Sequence, residues 1–432
     1  MSSTSSLLRS HLNPLSPKGL GTSDAESLLS YFLRLALSHC ISAPSLKLHV
    51  FALAGWKQPG KFRLNDINLN GMGNSTEQWS SVLSQLTGIA QLDLLTMLPW
   101  RNVIAGIGLL SPHCRWCPLC FAQDLSEGRE PYFRLAWDIG TVDACPKHAA
   151  KLVGFCPNCG RPDARNGSTC VVAGWCCFCG AFLGDFPAPS SATAATLWAS
   201  LQIAKLLAAP ATLRGTPTRE TMIEGLVRLI DLLDDGMPAV FARRIGLNKS
   251  TVHYWLSDGG TPAMPALLRI SASTGLELPA VLSGDVSGAH ALTIVASESN
   301  ELRPRHHKRA SARKIDFEKV NAQLDEVIVS SSGLSVSEAA RQLKMHPKQL
   351  YEIANDKAKK IAEIWMRDRK ERASRSRARA AALIEAAVLD ILAEGKGPNL
   401  RELRRRVPKE VLGSVREIFV LLEEAKEKVC RR

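Results

Sequence analysis

The sequence predicts a mainly α, multi-domain chain that carries small β knuckles and helix-turn-helix modules. Three observations point there. Aromatic residues, which strands favour, make up only 6% of the chain. Apolar residues recur at helical spacing in several windows. The cysteines are bunched into closely spaced pairs. With 432 residues, 45% of them hydrophobic, the chain can fill about three packed units.

The first 22 residues are Ser-rich and polar, and they are expected to be disordered. A helix should start near Asp24 with Ser23 as its cap. Leu28, Tyr31, Phe32, Leu35 and Ala36 mark its inner face, and Cys40 reads as a core residue of the same helix. Asn74 to Glu77 resembles a capping sequence before a helix carrying Trp79, Val82, Leu83 and Leu86. A short helix from Ile89 to Leu98 should end at Pro99. Residues 23–110 thus form a small helical bundle that leads into the cysteine block.

All cysteines except Cys40 and Cys430 lie between Cys114 and Cys179. Four pairs share a two-residue gap: Cys117/Cys120, Cys145/His148, Cys156/Cys159 and Cys176/Cys179. Such a gap lets both side chains of a tight turn reach one ion, and zinc takes four such ligands in a tetrahedron. Two pairs make a site, so residues 111–185 should hold two structural zinc ions in a double zinc ribbon. Sequential pairing gives Cys117, Cys120, Cys145 and His148, then Cys156, Cys159, Cys176 and Cys179; an interleaved pairing stays open. Cys177 could replace Cys176, and His113 or Cys114 could shift the first register. Four protein ligands leave no position for a reacting water, so the sites are structural and the chain is not expected to be an enzyme. Asp138 and Asp143 read as solvated or orienting acids.

The residues between the knuckles are specific in combination: Cys117-Pro-Leu-Cys120, Pro131-Tyr-Phe-Arg-Leu-Ala-Trp137, Val142-Asp-Ala-Cys-Pro-Lys-His148, Cys156-Pro-Asn-Cys-Gly160 and Cys176 to Gly180. With the opening helix Glu26 to Ala36, this pattern resembles the TniQ family, which includes TnsD-like target-site selectors of transposons. The resemblance covers about residues 10–185. It implies a transposition target selector that recruits an AAA+ ATPase of the TnsC/TniB-like type and, through it, the transposase. Some members bind double-stranded DNA themselves; others are tethered to a guide-RNA complex.

Residues 190–285 carry two further helices, near 192–208 and 218–235, and then a signature over 236–285 that resembles a phage-repressor helix-turn-helix. Ala242 is small where helices cross, Gly246 suits the left-handed turn, and Asn248 caps the second helix. Val252 and Trp255 or Leu256 face inward. Lys249, Ser250, Thr251, His253 and Tyr254 are left for the major groove.

A basic linker, 286–314, follows. Residues 315–432 form a basic helical region with a second helix-turn-helix at about 334–355. Ser335 and Glu338 form a capping box, and His346, Lys348, Gln349 and Tyr351 are its candidate readers. Arg372, Arg375, Arg377 and Arg379 on a long helix are candidate DNA contacts. Of the 54 Lys and Arg, 31 fall in 301–432, with only 20 of the 41 acids. That segment therefore holds +11 of the net charge of +13, as a polyanion-binding region would.

No run of about 18 apolar residues suggests a membrane span, and no secretory core follows Met1. A cytoplasmic setting, in which thiols stay reduced or bind metal, is expected. A zinc-ribbon transcription regulator is the competing class.

Overall fold

The computed structural model describes residues 10–57, 69–163, 165, 171–187, 189–211, 215–257, 259–292, 315–330, 333–415 and 417–431. It divides into two compact units, residues 1–304 and 305–432.

The first unit opens with α1 (Leu28–Ser38), α2 (Ala43–Ala54) and α3 (Asn74–Thr87). Ser27, not Ser23, caps α1, its side chain accepting from the Ser30 amide. The start moves because Glu26 is buried and pairs with Arg34 at 2.7 Å, and because the Ser27 amide donates to the Phe133 carbonyl. Tertiary hydrogen bonds keep residues 25–27 extended after a turn that ends at Asp24. Cys40 lies beyond α1 at φ 63°, partly exposed, and not in its core. Gly73, not a side chain, caps α3, while the Asn74 side-chain carbonyl accepts from Arg101. The expected helix 89–98 is instead two 3-10 turns, Leu92–Leu95 and Leu98–Trp100.

Residues 10–22 were expected to be disordered; those from 10 onward are packed. Leu12 is buried, its amide donates to the Leu86 carbonyl, and the Tyr31 hydroxyl donates to the Leu15 carbonyl. Leu12 and Leu15, separated by Asn13 and Pro14, are too short a pattern to establish a helical or strand period. Residues 1–9 lie outside the described residues.

Next come α4 (Pro118–Ser126) and a short antiparallel hairpin of β1 (Ala144–Cys145) and β2 (Ala150–Lys151), with Cys145 opposite Ala150. Then follow α5 (Ala194–Ala208), α6 (Arg219–Asp234), α7 (Pro238–Arg244), α8 (Lys249–Ser257), α9 (Met264–Thr274) and α10 (Leu278–Ser283). One apolar core runs continuously from Leu12 to Leu282. Trp100, Trp116, Trp137, Phe121 and Phe133 are its largest fully buried side chains near the cysteines.

The second unit contains α11 (Phe317–Val329), α12 (Val336–Gln342), α13 (Pro347–Ile353), α14 (Asn355–Ala393), α15 (Leu400–Arg406), α16 (Lys409–Gly413) and α17 (Ile418–Cys430). The Ser335–Glu338 capping box forms in both directions. Val320, Leu324, Ala339, Leu350, Ala358 and Ile361 share one small core. Along α14 the next buried side chain after Ile361 is Ala380, followed by Ile384, Ala387, Val388 and Ile391.

Candidate metal centres and nucleic-acid interface

The eight sequence-derived ligands form two groups: Cys117, Cys120, Cys145 and His148, and Cys156, Cys159, Cys176 and Cys179. Within each, all ligand atoms lie within 4.8 Å of one another. In the first, Cys120 Sγ is 3.6 Å from Cys145 Sγ, and His148 Nδ1 is 3.6, 3.3 and 3.5 Å from Cys117, Cys120 and Cys145. In the second, Cys156–Cys179 is 3.6 Å and Cys159–Cys176 is 3.8 Å. A tetrahedral ion with Zn–S near 2.3 Å and Zn–N near 2.0–2.1 Å spaces its ligands by about 3.6–3.8 Å. The donor sets and their spacing therefore fit two tetrahedral metal sites with sequential pairing. Cys114 and Cys177 belong to neither group.

Local backbone explains why these turns form. In the second group the Gly160 and Gly180 amides donate to the Cys156 and Cys176 carbonyls. Both glycines sit at positive φ, 65° and 76°, where a Cβ is disfavoured. Isolated bridges Phe155–Pro162 and Trp175–Phe182 close the two knuckles alike. In the first group Cys117 is the N-cap of α4, with Pro118 in its first turn, and Cys120 follows one turn on. Cys145 and His148 flank the β1–β2 turn. With neighbouring thiols donating to it, Cys145 is pulled down to about 2, mainly by Cys117 and then Cys120. In the second group Cys159 and then Cys176 lower the Cys179 thiol in the same way, so each group can hold negative charge for a cation.

One positioning residue has no sequence signal. The Gln123 side-chain carbonyl lies 3.1 Å from His148 Nε2. Accepting from Nε2–H, it leaves Nδ1 unprotonated and aimed at the three sulfurs. Only the turn of α4 brings position 123 there.

Neither acid near the sites is a free base. Asp138 is buried between Arg165, at 2.9 Å, and the Asn70 amide, at 2.8 Å. Asp143 pairs with Arg115 at 2.7 Å. Arg134, from the Tyr132-Phe-Arg-Leu-Ala-Trp137 stretch, makes a two-pronged bond to buried Asp124 of α4 and lies 4.2 Å from the Tyr132 ring.

In the α7–α8 hairpin, Val252 and Trp255 are buried; Lys249, Ser250, His253 and Tyr254 are exposed, and Thr251 is half-buried. Gly246 takes φ 62° between the helices. Two arginines brace the hairpin: Arg269 Nη1 donates to the Gly246 carbonyl at 2.8 Å, and Arg219 Nη2 to the Trp255 carbonyl at 2.6 Å. Ala105 donates to the Pro262 carbonyl, tying the loop after α8 to the N-terminal helical part.

In the second unit Lys348 and Tyr351 are exposed. His346 and Gln349 are occupied otherwise: His346 Nδ1 accepts from the Lys348 amide, and the Gln349 carbonyl accepts from the His346 amide, capping α13. On α14, Arg375 and Arg379 are exposed. Arg377 pairs with Glu417 and Glu424 at 3.2 and 2.7 Å, and Arg372 bends back to donate to the Asp368 carbonyl. Two of the four expected DNA contacts on this helix are thus engaged within the fold: Arg372 by a carbonyl one turn back on α14, and Arg377 by acids at the start and middle of α17, which sequence spacing could not reveal.

The class is a largely helical protein built around two closed Cys/His tetrads. Within it, residues 17–152, about a third of the chain, match the TniQ family model, which marks a TniQ domain in this segment. The match ends just beyond the first tetrad. No curated protein matches the chain. Among the described residues no helix is long and apolar enough to cross a membrane.

Proposed function

We propose that the protein selects transposition target sites: it binds target DNA and recruits an AAA+ ATPase of the TnsC/TniB-like type, which brings the transposase. The observation that carries this reading is the α7–α8 hairpin, whose exposed Lys249, Ser250, His253 and Tyr254 stand on the same apolar core as the TniQ domain. A helix braced at both ends by Arg269 and Arg219 presents its N-terminal side chains in a fixed pose, as groove reading requires. Lys348 and Tyr351 on α13 form a second candidate reading surface. Two zinc ions are structural in this scheme: each replaces a core that the short knuckles are too small to supply.

The test is selection of bound fragments from a sheared host genome at near-physiological salt, read by sequencing. One enriched site, lost in a Lys249→Ala/Ser250→Ala/Thr251→Ala variant, supports direct reading. Uniform salt-sensitive binding would move specificity to a partner such as a guide-RNA complex.

A further inference from the structure

Helix α14 joins two separate apolar clusters. Ile361 closes the first and Ala380 opens the second; no side chain of residues 362–379 is buried. At 1.5 Å per residue this shaft is about 27 Å long. It holds seven basic residues and three acids. Asp368 rests on Gly333 towards one end, and Arg377 on Glu417 and Glu424 towards the other.

Beyond the apolar run Ile364-Trp365-Met366, of which the first two are half-buried and Met366 is exposed, the shaft is polar all round, and such a helix has no tertiary reason to form unless it bridges two folded parts or meets a partner. Both conditions point to this shaft. In the second cluster the charges are largely neutralised in place: Arg405 and Arg406 on Glu402, Lys426 on Glu423, Lys428 on Glu385 and Arg431 on Glu427. On the shaft, Arg367, Lys370, Arg375 and Arg379 are exposed and have no ion-pair partner among the described residues. Against the second cluster, where Arg401 and Lys409 are the exposed cations without an ion pair among the described residues, the shaft thus carries the larger share of unpaired positive charge.

Its distribution around the axis names the partner. Lys370 and Arg379 are nine residues apart, about two and a half turns, and so project from opposite sides. A helix lying on a flat anionic surface needs cations on one face. Cations on opposite sides match two walls of phosphate. The major groove is about 12 Å wide and admits a helix of about 10–12 Å diameter, and the shaft's length corresponds to about eight base pairs.

We infer that the bare shaft of α14, residues 362–379, lies in the major groove of duplex DNA, with Arg367, Lys370, Arg375 and Arg379 on the phosphates of both walls. The inference rests on the DNA-binding reading above, but on a different element from α8. It makes the shaft a sequence-tolerant grip and leaves site choice to the helix-turn-helix.

The full chain is titrated with duplex DNA across a salt series, and guanine N7 reactivity towards dimethyl sulfate is mapped on the complex. Replacing all four shaft cations by alanine is expected to make the slope of log K against log salt shallower by roughly 3 to 4, since each phosphate contact contributes about 0.9. The same change should abolish N7 protection over about eight base pairs while the preferred site is retained. The four-lysine variant should restore the slope, and Arg405→Ala/Lys426→Ala should leave it unchanged. An unaltered slope in the alanine variant overturns the inference alone. A lost slope without any N7 protection in the parent overturns groove insertion. No DNA binding by the parent chain overturns both this inference and the target-selection reading.

Discussion

Arg134 and Asp124 form a two-pronged ion pair, 2.9 Å on each arm, with both side chains almost wholly buried. It clamps α4, which carries Cys120, to the segment that pairs with residues 25–27 ahead of α1. Burial by itself would lower the Arg134 guanidinium pKa, but the hydrogen bond to Asp124 and the neighbouring acidic groups together raise it. Removing Arg134 leaves buried Asp124 with the longer, 3.3 Å contact to the half-exposed Arg129. Arg134→Met should therefore cost about 3–5 kcal/mol, and adding Asp124→Leu should recover part of it. Denaturant unfolding of the two variants checks this; equal loss in single and double variants would refute the coupling.

The two tetrads predict metal stoichiometry. Elemental analysis of the purified protein should find two zinc ions per chain. Cys159→Ser should reduce this to one, since the second tetrad shares no ligand with the first. Stripping both with a strong chelator should unfold the knuckles, because in so short a segment ion binding and folding are one process. Cys177→Ser should keep two ions.

Gln123 is expected to act through His148. Gln123→Leu keeps the volume of the side chain but removes the acceptor 3.1 Å from Nε2. Affinity of the first site should fall by about 10–100-fold, read by competition with a chromogenic chelator, with the second site unaffected.

Gly246 should not tolerate a side chain. It sits at φ 62°, and an added Cβ would lie 2.6 Å from Arg269 Nη2. Gly246→Ala combines about 1 kcal/mol of backbone strain with displacement of that brace. Thermal unfolding should register the loss, and site-specific DNA affinity should fall more than non-specific affinity.

Gln349→Ala separates capping from base reading. Since the Gln349 carbonyl accepts from the His346 amide, the variant should lose roughly 0.5–1 kcal/mol of stability with site preference unchanged. A changed preference would return Gln349 to the reading surface.

The metal tetrads were legible because ligand chemistry is local. A two-residue gap in a tight turn brings two donors together whatever surrounds it, so the pairs could be named from spacing. The helical class, the Ser335 capping box and the turn at Gly246 were legible for the same reason: hydrophobic period, cap and left-handed glycine act within a few residues. What depended on distant segments was not legible. The start of α1 follows from a bond to Phe133, the packing of residues 10–15 from Leu86 and Tyr31, and the loss of Arg377 as a free cation from Glu417 and Glu424. The sequence by itself determined which side chains can hold a metal and where most of the helices fall. Only the tertiary structure decided which charges are spent inside the fold and which stay exposed, because a charge is neutralised by whatever approaches in space, and that proximity is not written in the neighbouring residues.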